Sequence, residues 1–553
     1  MMIFSVLISL IIPLLLIGLV ARFVMHRLGT DAPVARTLGA ALHVGVVVAA
    51  VNAVSGLLAL PFGGDEIFRD TARIVAMNLA ILIVAVPVSF VIWRALFAEA
   101  DDFPRRFAIV AGLAIALVTT VFSAVGVAQA AVGLENLDPS SLGNLLAFGG
   151  AWLAYELWMR NREQGTFQVD DLPATVASAS GLGLVLAALV LFVQTALSSI
   201  LGLSADVIYE QSAADALRMA AVMAVIGGAV FTRYWLFDLH DRETRFRNGY
   251  GAVVSFISLT AAAGSIGVIS FLALEWLFGL GSNTAASQFE PLPAAVAVVV
   301  AFGLAWWHHL GTITPRRGLA RRAYTYATAA TGVFAAASGL VTLLAVGLES
   351  VSASDAVTTS EVGSITIGGL IAIVIGVALW WTQWGRIDAS DPAEVSSIPR
   401  RVYLVGLLTV AGVAGSIALI TAIFGLLRAV FEADLGLDVI FDGRFVIAIV
   451  VVTAPLVWHL VGELREDRMR RPVRVQHRRA IIVAGDPGSL EDLDEVTFLR
   501  AGHDGGVPDS MASEIESLLA QEGPPVLVVV KGDRFEVTEL ESIPGSGPFG
   551  MFS

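Results

Sequence analysis

The groups able to do chemistry in this chain are few, mostly uncharged, and embedded in long apolar runs. His43 stands near the middle of the run Gly39–Val54. An ionisable group at membrane depth is a functional candidate by default. It reads first as a neutral, hydrogen-bonded interior imidazole, with a proton relay as the alternative. Asn52, Asn78, Gln129 and Gln194 sit toward the outer third of their runs. Asn52 and Asn78 are placed to meet across a single hairpin, a bond worth roughly 0.6 and up to about 2 kcal/mol in a membrane. Interhelical glue is the first reading of these amides and a polar substrate site the second. His43 and the four amides together form the one intramembrane polar constellation in the sequence. Glu156 lies one turn from Arg160, and Arg218, Glu275 and Arg428 fall near the outer ends of their runs. His308-His309 makes a poor metal site alone, because neighbours on a helix point about 100° apart. No Ser–His–Asp or His-Glu-x-x-His arrangement occurs, and Gly485-Asp486-Pro487-Gly488 lacks the Gly-Lys-Ser/Thr of a phosphate loop. With no cysteine, disulfides, thiolate metal sites and a thiol nucleophile are excluded. No metal, cofactor or enzymatic activity is expected.

The elements that position these groups must be membrane helices. Hydrophobic residues make up 56% of the 553 positions and charged residues 15%, with a mean hydropathy of +0.78. A soluble chain carries about 25% charged residues. A hydrocarbon core of about 30 Å takes roughly 20 apolar residues per helix. Thirteen such stretches run through residues 3–464. The first, within 1–31, lacks a basic leading segment and is followed by Arg22, His26 and Arg27. It is expected to be a retained helix with its N-terminus outside. The other twelve form six two-helix hairpins at 32–98, 102–163, 171–241, 243–311, 318–386 and 397–465. The expected fold class is an all-α polytopic membrane protein of 13 transmembrane helices, one N-terminal plus six tandem hairpins, with a small cytoplasmic α/β C-terminal module.

The hairpins share a signature. Opening helices begin with Arg before an aromatic, as in Arg247-x-x-Tyr250, Arg321-x-x-Tyr324 and Arg400-x-x-Tyr403. Closing helices end in Trp: Trp93, Trp158, Trp235, Trp306-Trp307, Trp380-Trp381 and Trp458. Trp and Tyr favour the headgroup region, so these Trp residues read as interfacial anchors rather than a ligand cage. The Arg-x-x-Tyr opening and the Trp-His or Trp-Trp closing resemble an uncharacterised membrane-repeat family, domain of unknown function 5671. The likeness is best at 318–386 and 397–465, fair at 243–311, and weak in the first three units, which lack the opening Tyr. It implies a helical membrane domain of unassigned activity and brings no catalytic residues.

Charge predicts the orientation. Arg residues gather between hairpins, as at Arg105-Arg106 and Arg400-Arg401, while loops such as GLENLDPSS (133–141) are acidic or neutral. The positive-inside rule then puts the inter-hairpin loops and the C-terminus in the cytoplasm. The expected location is the plasma membrane of a prokaryote. Faces of small residues, Gly332/Ala336/Gly339, Gly264/Gly267, Gly412/Gly415/Ser416 and Gly368/Gly369/Gly376, predict close helix contact. Pro87 and Pro455 fall midway along closing helices, where a static bend is the first reading and a hinge the second. After a basic run from Arg465 to Arg479, strands are expected at 480–484 and 495–500, a helix at 508–521, and a hairpin of 526–530 with 535–539 about Lys531-Gly532-Asp533. This module spans 466–543, and the Gly/Pro-rich 544–553 is expected to be flexible.

Three function classes remain. A membrane scaffold or accessory subunit, with the tail 466–543 binding a partner protein, needs no buried charge. A transporter or channel for a neutral or apolar solute is the alternative, with the amides lining its path. An intramembrane enzyme would show paired acids or a nucleophile at depth, and the sequence has neither. The bilayer is an expected partner and nucleic acid is not.

Overall fold

The computed structural model describes residues 33–62, 71–97, 103–160, 171–203, 212–239, 245–282, 284–313, 318–352, 359–387, 391–432, 436, 438–470, 480–484, 496–500, 509–519, 526–531 and 534–539. The expected first helix, the run 471–479, the turn 485–488 and the end 544–553 lie outside them. Two compact units divide the chain, one within residues 1–389 and 397–464, the other within 390–396 and 465–553.

The first unit is helical. Its long helices are α1 (Pro33–Ala59), α2 (Thr71–Phe97), α3 (Phe103–Ala131), α4 (Pro139–Arg160), α5 (Leu172–Leu201), α6 (Ala213–Phe231), α7 (Arg245–Leu277), α8 (Leu292–Thr312), α9 (Leu319–Ser352), α10 (Thr359–Trp384), α11 (Ile398–Glu432) and α12 (Asp438–Arg470). A π-helical stretch, Thr232–Leu239, continues α6. Eleven helices among the described residues are long and apolar enough to cross a membrane, and α4 is not one of the eleven. The chain is a multi-pass membrane protein. Pro87 and Pro455 lie inside unbroken α2 and α12.

Sequence neighbours pack as pairs: α1 with α2, α3 with α4, α5 with α6, α7 with α8, and α9 with α10. Each pair also meets the next. α1 packs on α3 and α4, α3 on α5 and α6, α5 on α8, α7 on α9 and α10, and α9 on α11. α11 and α12 join through Tyr403, Leu404, Leu407 and Leu460, and through an ion pair of 3.0 Å between Arg400 and Glu463. No extensive packing links the first pair to the last among the described residues.

Within pairs, glycine allows backbones to touch. A Cβ on Gly376 would stand 2.4 Å from the Ala336 nitrogen and 2.6 Å from the Gly332 oxygen. A Cβ on Gly339 would stand 2.4 Å from the Gly369 oxygen. These four glycines and Ala336 are among the predicted small-residue positions. Gly264 and Gly412, predicted with them, have open space beside them, and Gly267 and Gly415 meet the side chains of Ile375 and Thr453. Gly181 and Gly227 form an unpredicted contact of the same kind between α5 and α6. Small residues do precede them at helical spacing, Ala177 and Ser178 before Gly181 and Ala220 and Ala224 before Gly227, a face passed over in the sequence.

Polar caps close several ends. Ser212 accepts from the Asp215 amide at the start of α6. Asp138 takes the Ser140 amide (2.9 Å) and the Ser140 and Ser141 hydroxyls before α4. Those bonds, the Ser140 hydroxyl first, hold the Asp138 carboxyl below its ordinary range. Gln288, in the connection from α7 to α8, donates to Glu275 (3.2 Å) and the Leu272 carbonyl (3.2 Å) and accepts from the Ser282 amide (2.8 Å).

The second unit contains a four-stranded sheet in the order β2-β1-β3-β4, from β1 (Ala480–Ala484), β2 (Val496–Arg500), β3 (Val526–Lys531) and β4 (Arg534–Glu539). β1 runs parallel to β2 and β3. β3 and β4 form an antiparallel hairpin with Lys531 opposite Arg534. Helix α13 (Asp509–Leu519) connects β2 to β3. Met511, Ile515 and Leu519, four apart and therefore on one face, are buried with the alternate strand residues Val526 and Val528.

Candidate functional site

Two constellations gather the polar and aromatic side chains of the helical unit. The first surrounds His43. It lines a cleft of about 680 Å³, whose walls include Val47, Val86, Ser89, Phe90 and Trp93. His43 is buried. Its Nδ1 lies 3.4 Å from the Ser89 hydroxyl, and its ring is 5.3 Å from that of Trp93. Ile109, Ala151 and Ala154 bring α3 and α4 into the wall. All other lining side chains are aliphatic or aromatic, so the cleft can hold an apolar body and hydrogen-bond it at one place.

The four amides predicted with His43 lie elsewhere. None lines its cleft. Asn78 is buried beside Gly56, where a Cβ would stand 2.5 Å from its amide nitrogen. Asn52 is exposed, and no hydrogen bond joins it to Asn78 among the described residues. Gln129 and Gln194 are half-buried on α3 and α5. Asn52, nine residues from His43 on the same helix, points about 180° away from it, and Asn78, Gln129 and Gln194 stand on three other helices, so position along the sequence did not bring them together.

The second constellation is a series of latches where one helix pair meets the next. Residues three apart lie on one helix face, so each Arg-x-x-Tyr presents both side chains together. Tyr250 packs on Trp235 at 5.1 Å between centroids, and the Arg247 guanidinium lies 5.9 Å from the Trp235 ring. Tyr324 accepts a 2.9 Å hydrogen bond from the Trp306 indole, with Arg321 5.5 Å above the Tyr324 ring. Tyr403 packs on Trp384 at 5.8 Å, with Arg400 5.8 Å from that same Trp. The guanidinium-to-ring distances fall within the 6 Å reach of a cation–π contact. In each latch a Trp of one closing helix meets the Tyr of the following opening helix. A related bond, from the Trp152 indole to the Tyr234 hydroxyl at 3.0 Å, joins α4 to the α6 extension.

The tryptophans expected as anchors therefore face two ways. Trp307, Trp381 and Trp458 point outward, at 73%, 69% and 82% exposure. Trp235 is only 1% exposed, and Trp93, Trp306 and Trp380 are half-buried. The Trp158 side chain is outside the described set. In Trp306-Trp307 and Trp380-Trp381 one ring packs inward while its neighbour faces out, as the 100° step requires.

His308 and His309 divide similarly. His308 accepts from the Trp235 indole at 3.1 Å. His309, 1% exposed, has its Nδ1 3.0 Å from the Ala305 carbonyl. Its ring stands edge-on to Tyr250 at 5.5 Å. The His309 Nε2 and the Tyr250 hydroxyl are buried without a hydrogen-bond partner among the described residues. No group of three or more His, Asp or Glu gathers for a metal among those residues.

Residues 322–454 match the family described as Domain of unknown function (DUF5671). That segment contains Tyr324, Tyr403 and the Trp380–Trp384 run. No curated protein and no solved structure matches the chain.

Proposed function

From a chain that carries a domain of unknown function 5671 across residues 322–454, we infer a membrane scaffold or accessory subunit without enzymatic activity, whose C-terminal module at 466–543 binds a partner. The observation that carries this reading is the order of packing: each helix pair meets the next, and the first pair has no extensive contact with the last among the described residues. Such a row presents lateral faces to other membrane proteins and encloses no common central path. In this reading the row consists of six tandem hairpins after one further N-terminal helix, thirteen crossings in all. It lies in the plasma membrane of a prokaryote with the N-terminus outside and the C-terminus in the cytoplasm, in accord with the basic inter-hairpin loops. The outward Trp307, Trp381 and Trp458 would sit in the headgroup layer.

Mild-detergent extraction of the full chain and of a 1–465 truncation, with native mass measurement, tests this. A stoichiometric partner lost on truncation supports the scaffold. Recovery of both forms alone refutes it.

The alternative, a transporter or channel for a neutral or apolar solute, draws on the cleft beside His43. Single cysteines at Asn52 and Gln194, in a chain without native cysteine, would then react with polar thiol reagents. Protection of both would exclude an aqueous path there.

A further inference from the structure

We propose that the cleft lined by His43 binds a neutral lipid of the quinone class, a flat carbonyl-bearing ring on an apolar tail, drawn from the bilayer. Access points to the source. Three of the four helices that wall the cleft, α1, α2 and α3, are long and apolar enough to span the membrane. The α2 wall residues Val86 and Phe90 are 55% and 63% exposed, so the mouth opens on a surface that faces hydrocarbon. A molecule dissolved in the bilayer reaches it without crossing water.

Charge and size narrow the ligand. No charged side chain lines the cleft among the described residues, so an ionic headgroup would enter without a counter-ion, at a cost of several kcal/mol. At about 680 Å³, the volume falls inside the roughly 300–1,000 Å³ range of small-ligand pockets. It suits one ring with part of its tail better than a two-chain lipid. Ala50, Ala151 and Ala154 keep this space open, since larger side chains at any of them would project into it.

Recognition falls to a small set of groups. A neutral imidazole offers one donor and one acceptor, and a serine hydroxyl both. His43 and Ser89 therefore place the hydrogen-bonding groups of the cleft at one spot in an otherwise apolar lining, where a ligand carbonyl competes with the 3.4 Å contact between them. Phe90 and Trp93 supply ring faces beside them, which favour an offset flat partner. A ring carbonyl meets both demands, whereas a straight-chain alcohol meets only the first. Binding of this kind is compatible with either function above and requires no redox step.

The test uses full-length protein in phosphatidylcholine nanodiscs and a photoreactive azido-benzoquinone with a decyl tail. Labelled peptides are mapped with and without excess unlabelled decyl-benzoquinone, or a straight-chain alcohol of equal length. Labelling should concentrate on residues 39–62 and 71–94 and be displaced by the quinone but not by the alcohol. His43→Leu should weaken it about tenfold, the value of one hydrogen bond to a buried polar head. Ala154→Phe fills the cleft from an exposed wall position and leaves His43 in place. It should reduce labelling at least as much while the thermal unfolding of the protein is unchanged. Labelling spread evenly over the lipid-facing helices, or indifferent to Ala154→Phe, overturns the site. Equal displacement by the alcohol overturns the quinone class.

Discussion

The seam between α9 and α10 allows a sharp test of how this protein holds together. Replacing Gly376 by Ala puts a Cβ 2.4 Å from the Ala336 nitrogen, 2.6 Å from the Gly332 oxygen and 2.9 Å from the Ala336 Cα. All three are backbone atoms and cannot rotate away. Ordinary contact begins near 3.4 Å, so the shortfall is 3.4 − 2.4 = 1.0 Å, and the helices must part by about that distance. A gap of 0.5–1 Å forfeits roughly a quarter to a half of each van der Waals contact along the seam, and overpacking of this kind costs about 1–3 kcal/mol. Alanine returns roughly 0.5–1 kcal/mol in helix propensity, leaving a net loss of about 1–2 kcal/mol. Gly412→Ala on α11 is the matched control. Nothing lies within 4 Å of its Cβ, so only the propensity gain of about 0.5–1 kcal/mol remains. Unfolding in mixed micelles with increasing dodecyl sulfate, followed by tryptophan fluorescence, reads both. The two midpoints should move in opposite directions. If Gly376→Ala proves as stable as Gly412→Ala, backbone contact does not hold this pair.

Three further expectations use paired comparisons. Tyr324→Phe strands the Trp306 indole donor, now bonded at 2.9 Å, and should cost about 1–3 kcal/mol. Tyr250→Phe removes a buried hydroxyl without a hydrogen-bond partner among the described residues and should be neutral or stabilising in the same micelle titration. Glu463→Gln replaces the carboxylate 3.0 Å from Arg400, 1% exposed, by a neutral amide and should cost about 1–3 kcal/mol. Glu432→Gln, in the exposed pair with Arg428, should leave the midpoint where it is. The Asp138 carboxyl is held below its ordinary value of 3.8. Its contribution to the start of α4 is therefore complete above that pH and is lost as pH falls through the lowered value. Protection of the Ser140 amide, its exchange relative to an unfolded peptide at the same pH, should fall only in that acid range, and Asp138→Ala should abolish the transition.

Legibility in the sequence depended on whether a feature is local. Helix extents were readable because twenty apolar residues in a row have one stable form in a bilayer. The tail was readable because alternation around Lys531-Gly532-Asp533 and the i, i+4 spacing of Met511, Ile515 and Leu519 are periodic signals. Arg-x-x-Tyr was visible as a motif, but its meaning was not. Trp, Tyr and Arg suit a headgroup belt and a protein interior equally well in composition, and only the helix neighbours separate Trp235 from Trp458. The polar residues failed for a related reason. Sequence gives depth along a helix, whereas a site also needs azimuth, and Asn52, Gln129 and Gln194 do not share the direction of His43.

The two kinds of seam follow from how the helices are connected. Partners such as α9 and α10 follow each other directly and run antiparallel, so two glycine faces can meet along much of their length, as Gly332, Gly339, Gly369 and Gly376 do. The later pairs meet one another through side chains, whereas α4 approaches α1 closely, a Cβ on Gly143 standing 2.4 Å from the Ser55 oxygen. Lipid supplies no hydrophobic drive to bring those later pairs together, so association there must come from large contact surfaces and directional bonds. Trp and Tyr provide both, and an arginine stacked on the rings adds cation–π attraction while its charged end stays near the helix terminus. The latches recur at Trp235–Tyr250, Trp306–Tyr324 and Trp384–Tyr403, always near the helix ends bearing the arginines. The latches fasten one end of these seams, and contacts such as Gly267 with Ile375 and Gly363 with Leu280 continue the seam between α7 and α10, so loss of a latch should weaken the join between neighbouring pairs before it unfolds either of them.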